Sequence, residues 1–171
     1  MPQDRMPQVG RRLRTGRFAA AVLLLCAAGC STFSQDFRAA QQYCPPERGL
    51  DGVWEGTWES ETNGHNGRLR AIITRCDDRH YHARFHATFL KCVPFESEAM
   101  LHVTEEGAAT FFHGQEDLGW LAGGVYTYDG RADRCEFFAN YCAEKDRGVF
   151  AMRRVSACGG CGEDACDGCC E

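Results

Sequence analysis

Residues 80–89, His80-Tyr81-His82-Ala83-Arg84-Phe85-His86-Ala87-Thr88-Phe89, decide the fold. Tyr81, Ala83, Phe85, Ala87 and Phe89 alternate with His80, His82, Arg84, His86 and Thr88. One face is apolar and the other polar, which is the period-two pattern of a half-buried antiparallel strand. The same alternation continues on both sides, from Leu50 to Val155. It predicts eight strands, at 51–60, 67–75, 79–91, 98–105, 108–113, 118–128, 133–143 and 147–155. Turn chemistry separates them: Asn63-Gly64, Asp77-Asp78, Glu106-Gly107, Asp129-Gly130 and Asp146-Arg147-Gly148. No intervening stretch has the length and 3.6 period of a crossover helix, so the connections predict an antiparallel meander. Closing the meander into a barrel removes its exposed edges; a two-layer sandwich is the alternative.

In a meander, alternate loops share an end. The loops at 61–67, 91–98, 113–118 and 143–147 then form one mouth, carrying His65, His113, Glu116, Asp117, Glu144 and Asp146. Gly52-Val53-Trp54 opens the first strand, and Arg153-Arg154 ends the last. This pairing resembles the calycin pattern of lipocalins, where a tryptophan of the first strand packs under an arginine of the last. The resemblance implies that Trp54 and Arg153 or Arg154 close the barrel, since arginine stacks on indole. The Thr-Asp-Tyr signature of lipocalins is absent, and no long helix follows the barrel. An eight-stranded barrel is just wide enough to fill with side chains or to hold one small ligand. Trp54, Trp58, Phe85, Phe89, Phe112, Trp120, Tyr126, Phe137 and Phe150 favour filling, while Gly123 and Gly124 favour a local cavity or bend.

The N-terminus carries an address. Arg11, Arg12, Arg14 and Arg17 precede an apolar run from Phe18 to Ala28. That run is about a dozen residues, short of the roughly 20 a bilayer span needs, and has the layout of an export signal. Its end, Leu25-Cys26-Ala27-Ala28-Gly29-Cys30, resembles the lipobox of bacterial lipoproteins. The resemblance implies cleavage of residues 1–29, lipidation of Cys30 and membrane attachment in the cell envelope. By the same resemblance, Ser31 in place of aspartate implies the outer membrane. An ordinary secretory signal is the alternative. Removal of residues 1–29 from the 171 leaves 142, the size of one domain with a real core. The remaining chain has 14 basic and 23 acidic residues. That excess argues against nucleic acid as a partner and against charge-driven binding to anionic lipid.

Residues 30–49 read as a tether with a short helix over 34–43, Phe33, Phe37 and Ala40 on one side, stopped by Pro45-Pro46. Residues 156–171 form an acidic tail, with Cys158, Cys161, Cys166, Cys169 and Cys170 and no large apolar side chain. Two C-x-x-C pairs there are weak candidates for a soft metal held by thiolates, but the gap between them is far shorter than a zinc-ribbon spacer. In an oxidising envelope disulfides are the first expectation. Cys92 falls at the mouth end with Cys142, and Cys44, Cys76 and Cys135 at the other. A strand of seven residues spans roughly 23 Å, whereas a disulfide needs Cα atoms within about 7 Å. Any bond of Cys92 is therefore expected to reach Cys142.

His80, His82 and His86 share one strand face, which Arg84 makes unfavourable for a divalent cation; a solvated outer face is the expected reading. His65, His113, Asp117 and Asp146 are candidates for an acid–base group at the mouth, for a hydrolase or isomerase. No G-x-S-x-G, H-E-x-x-H or phosphate loop occurs. The expected function is non-enzymatic and without a cofactor: a membrane-anchored binding or structural module for a small apolar ligand or an envelope protein. A metal- or thiol-handling protein acting through the tail is the alternative.

Overall fold

Eight strands, β1 (Gly52–Ser60), β2 (Asn66–Arg75), β3 (His80–Phe89), β4 (Val93–Glu106), β5 (Ala109–Asp117), β6 (Val125–Ala132), β7 (Glu136–Cys142) and β8 (Arg147–Arg154), follow one another in the chain. Each pairs antiparallel with the next, and β8 pairs with β1, so the sheet is a closed barrel and not a sandwich. The computed structural model describes residues 32–45, 49–89, 93–107, 109–119 and 123–156. The signal segment with Cys30, the loop with Cys92, Trp120, and the tail with Cys158, Cys161, Cys166, Cys169 and Cys170 lie outside the described residues. The barrel belongs to the unit Phe33–Glu171.

The alternation in β3 does what it predicts. Tyr81, Ala83 and Phe85 are buried inside, opposite Leu101, Ala99 and Ser97 of β4. The half of the barrel nearest Leu50 is filled. Trp54, Tyr81, Leu101, Phe112 and Phe137 pack there, with Phe112 stacked on Phe137 at 4.7 Å and Trp54 tilted against Phe137 at 5.5 Å. The other half is lined but not filled.

Closure is made at the β1–β8 seam, where Trp54 lies opposite Arg154. The Arg154 guanidinium sits 4.2 Å from the centre of the Trp54 indole. It donates hydrogen bonds to the carbonyls of Gly49 (2.7 Å), Arg134 (2.8 Å) and Asp51. Trp54 Nε1 donates to the Leu50 carbonyl at 2.9 Å. Burial lowers the Arg154 pKa to about 10, which leaves it charged at neutral pH. Of the two arginines expected at the seam, Arg154 takes the inward place. Arg153 is exposed, opposite Glu55 and Glu136 on the outer face.

Several boundaries differ from the sequence expectation. β4 begins at Val93, five residues earlier, and β5 runs on to Asp117. Asp129-Gly130 is no turn but the middle of β6, with Asp129 opposite His113 and Asn140. Gly130 is needed for close approach: a Cβ there would fall 2.4 Å from the Phe112 ring and 2.4 Å from the Phe138 carbonyl. The true turn is built by Asp133, whose Oδ1 accepts from the N–H groups of Cys135 and Glu136, both at 2.8 Å.

A helix, α1 (32–40), precedes the barrel. Phe33 and Phe37 are four apart and so share a face. They bury that face on Val53, with Ile72 and Val155 packed alongside. Part of the expected tether is thus a packed element, covering the outside of β1 to β3. Arg70 lies over both rings at 5.4 and 5.2 Å, His86 stacks on Phe33 at 5.0 Å, and Arg84 pairs with Asp36 at 2.9 Å. Burial under this helix, and the neighbouring Arg70, lower the His86 pKa.

Candidate ligand-binding site

The unfilled half of the barrel is a cavity of about 470 Å³, within the size range of small-molecule sites. It opens at the end shared by the β1–β2, β3–β4, β5–β6 and β7–β8 connections, the mouth expected from the meander. Strand alternation supplies its walls. Trp58 comes from β1, Leu69 from β2, Phe85, Ala87 and Phe89 from β3, Phe95 and Ser97 from β4, Tyr126 and Tyr128 from β6, Tyr141 from β7 and Phe150 from β8. Space remains because small side chains take inward places near the mouth. Ala87 of β3 and Ser97 of β4 line the cavity, and Gly114 faces inward on β5.

The aromatic rings form a connected wall. Phe85, Tyr128 and Phe150 lie 5.8–6.1 Å apart, and Tyr141 lies 5.1 Å from Phe150 and 5.9 Å from Tyr126. Trp58 is stacked on Phe89 at 6.2 Å and donates from Nε1 to the Thr88 carbonyl at 3.2 Å. The rim continues this character, since Val93 and Phe95 of the lining are 50% and 40% exposed. Contiguous exposed apolar surface marks a binding site more often than a plain wall.

Two carboxylates meet this wall, each through a tyrosine hydroxyl. Tyr141 donates to Asp146 Oδ2 at 3.2 Å, and Tyr128 donates to Glu116 Oε2 at 3.0 Å. Asp146 also accepts from Ser60 Oγ at 2.6 Å and from the Arg147 N–H at 2.9 Å. Glu116 Oε1 accepts from the Glu98 N–H at 3.1 Å. Burial raises the Glu116 pKa above 4.5, against the lowering effect of its hydrogen bonds. Burial and the adjacent carboxylates also raise the pKa of both tyrosines, so each remains a neutral hydrogen-bond donor.

No protein-family model, curated protein or solved structure matches the chain.

Only part of the expected acid–base group is at the mouth. Asp146 lines the cavity, and His65 lies beside the rim with its ring edge-on to Phe89 at 5.1 Å. Asp117 ends β5 and accepts from the Gly119 N–H at 2.8 Å. His113 is not in a loop. It sits outward on β5, opposite His102 and Asp129, its ring stacked on His102 at 5.2 Å. The extension of β5 to Asp117 moves it there, and it is not gathered with the other three. Glu116 likewise leaves the loop for an inward place on β5.

The β3 histidines have local partners on the outer face. His80 pairs with Asp77 at 2.7 Å and His82 with Glu98 at 3.2 Å, while His86 is covered by α1. Among the described residues, no group of three or more His, Cys, Asp or Glu side chains is placed to hold a metal ion. Cys76 and Cys142 carry free, exposed thiols, whereas Cys44 and Cys135 are not among the free cysteines. Cys142 faces outward at the end of β7, and Cys92, its expected partner in any bond, lies outside the described residues.

Of the aromatic residues expected to fill the core, Trp54, Phe112 and Phe137 do so, Phe85 is buried in the core and also borders the cavity, and Trp58, Phe89, Tyr126 and Phe150 line the cavity. Sequence reasoning missed Tyr128 and Tyr141. Their signal is parity: each lies an even number of residues from a core position on its strand, Ala132 and Phe137 respectively.

Proposed function

We propose that this chain is a cell-envelope lipoprotein whose barrel carries a small apolar ligand, without catalysing a reaction. One observation carries this reading: a cavity of about 470 Å³, walled by aromatic side chains, at the open end of an otherwise packed barrel. A barrel built only for stability gains from filling such a space, because each void forfeits packing energy. The Gly29-Cys30 junction supplies the membrane anchor in this reading, and disulfides suited to an oxidising compartment involve Cys44 and Cys135.

The test of the pocket is titration with N-phenyl-1-naphthylamine, a neutral dye that brightens in apolar surroundings. The wild-type chain is expected to bind it at micromolar concentration. Ala87→Trp puts an indole into the cavity and is expected to weaken binding at least tenfold, with a melting temperature within a few degrees of wild type. Absence of dye binding to the folded wild type overturns the reading. The anchor is tested separately. Cys30→Ala is expected to release the protein from the membrane fraction of a Gram-negative host and to abolish labelling by a radioactive fatty acid. Unchanged labelling removes Cys30 from its role.

A further inference from the structure

We infer that the ligand of the barrel is an organic ammonium ion carrying apolar substituents. The inference rests on the pocket reading above and names the charge of what the pocket holds. Among the described residues that line the cavity, Asp146 is the only charged one, and none is Lys, Arg or His. Asp146 forms no ion pair among the described residues; its hydrogen-bond partners are neutral, the hydroxyls of Ser60 and Tyr141 and a backbone N–H. A carboxylate has about four acceptor sites, and these three bonds leave room for one more donor. Glu116 stands behind Tyr128, so a second acidic group backs the same wall.

The aromatic faces point to the same charge. The ring face of tyrosine, tryptophan or phenylalanine carries negative potential and attracts a cation held within about 6 Å of its centre. Trp58, Phe85, Tyr126, Tyr128, Tyr141 and Phe150 line the space with such rings. Substituents on the ammonium replace water against these rings, while its charge compensates Asp146. A carboxylate or sulfonate ligand meets the reverse situation: like charge at Asp146, no cation among the described lining residues, and aromatic faces of the wrong sign. The chain as a whole carries a formal charge of −5, which also favours approach of a cation.

The test uses the full chain and three probes of one shape and three charges. They are benzyltrimethylammonium, its carbon isostere neopentylbenzene, and benzylsulfonate, with binding read by isothermal titration calorimetry. The cation is expected to bind at least tenfold more tightly than the neutral isostere, and the anion to show no measurable binding. In Asp146→Asn, which keeps an acceptor for Ser60 and Arg147, the cation-to-neutral affinity ratio is expected to fall about tenfold. Should that variant fail to fold, the wild-type ratio decides alone. Equal or tighter binding of neopentylbenzene overturns the inference and leaves the apolar pocket standing. Binding of none of the three overturns the inference and the pocket reading together.

Discussion

Gly56→Val is expected to destabilise the barrel by about 3 kcal/mol, at the upper end of overpacking effects. Gly56 lies at the β1–β8 seam, opposite Met152. A Cβ on it would fall 2.0 Å from the Ala151 carbonyl oxygen and 2.7 Å from the Met152 Cα. Both are main-chain atoms of the neighbouring strand, so no change of rotamer relieves the clash. Either β1 moves away from β8, breaking ladder hydrogen bonds, or it bulges and shifts the inward set that includes Trp58. Gly148 shows the same constraint from the other strand, with a Cβ position 1.9 Å from the Glu59 carbonyl oxygen. A domain of this size has about 5–15 kcal/mol of total stability, so a large share is at stake. The check is the urea midpoint followed by tryptophan fluorescence, with Thr57→Ala as reference. Thr57 is the next residue on the strand and exposed, and its change is expected to stay within about 0.5 kcal/mol. Similar midpoints for the two variants would mean that the seam is not held at this spacing.

The elements that the sequence makes legible are those with a strong period and one buried face. β3 could be read because Tyr81, Ala83 and Phe85 repeat without interruption, and closure could be read because Trp54 and Arg154 are chemically matched ends of one seam. α1 was visible in the spacing of Phe33, Phe37 and Ala40, but its docking was not. Nothing local tells that Val53 and Ile72 point outward to receive it; that depends on the register of two strands. The β5–β6 region misled for a physical reason. Asp129-Gly130 is a strong turn pair by composition, yet Gly130 serves the Phe112 ring and the Phe138 carbonyl that press on it. Gly119, Gly123 and Gly124, with φ of 76°, 104° and 82°, mark the real loop. The cavity was the least legible feature. It arises from small side chains at Ala87 and Ser97 on two strands facing rings from four others, and only the closed register brings them together.

Trp54→Ala is the second change with a large expected effect, about 3–5 kcal/mol, because it empties a fully buried site in the filled half of the barrel. Its consequence reaches beyond the void. The indole is the platform on which the Arg154 guanidinium rests while it ties together Gly49, Asp51 and Arg134. Without the indole, the guanidinium keeps its hydrogen bonds but loses its contact face. Arg154→Ala makes the converse loss: it leaves the indole in place and takes the donor away from those three carbonyls. An unpaired buried acceptor costs about 1–3 kcal/mol, so this single change also belongs among the large ones. The two residues touch, so their effects are not expected to add. In the double variant the total cost should fall short of the sum of the singles by about 1 kcal/mol or more, the coupling typical of residues in contact. Chemical denaturation of the four proteins measures it. A sum that holds to within about 0.5 kcal/mol would show that tryptophan and arginine stabilise the seam independently, and that the ring supports the barrel only by its volume. A clear coupling would instead make the stacked pair the lock between first and last strands, and the cavity above it would then owe its shape to a base that cannot relax.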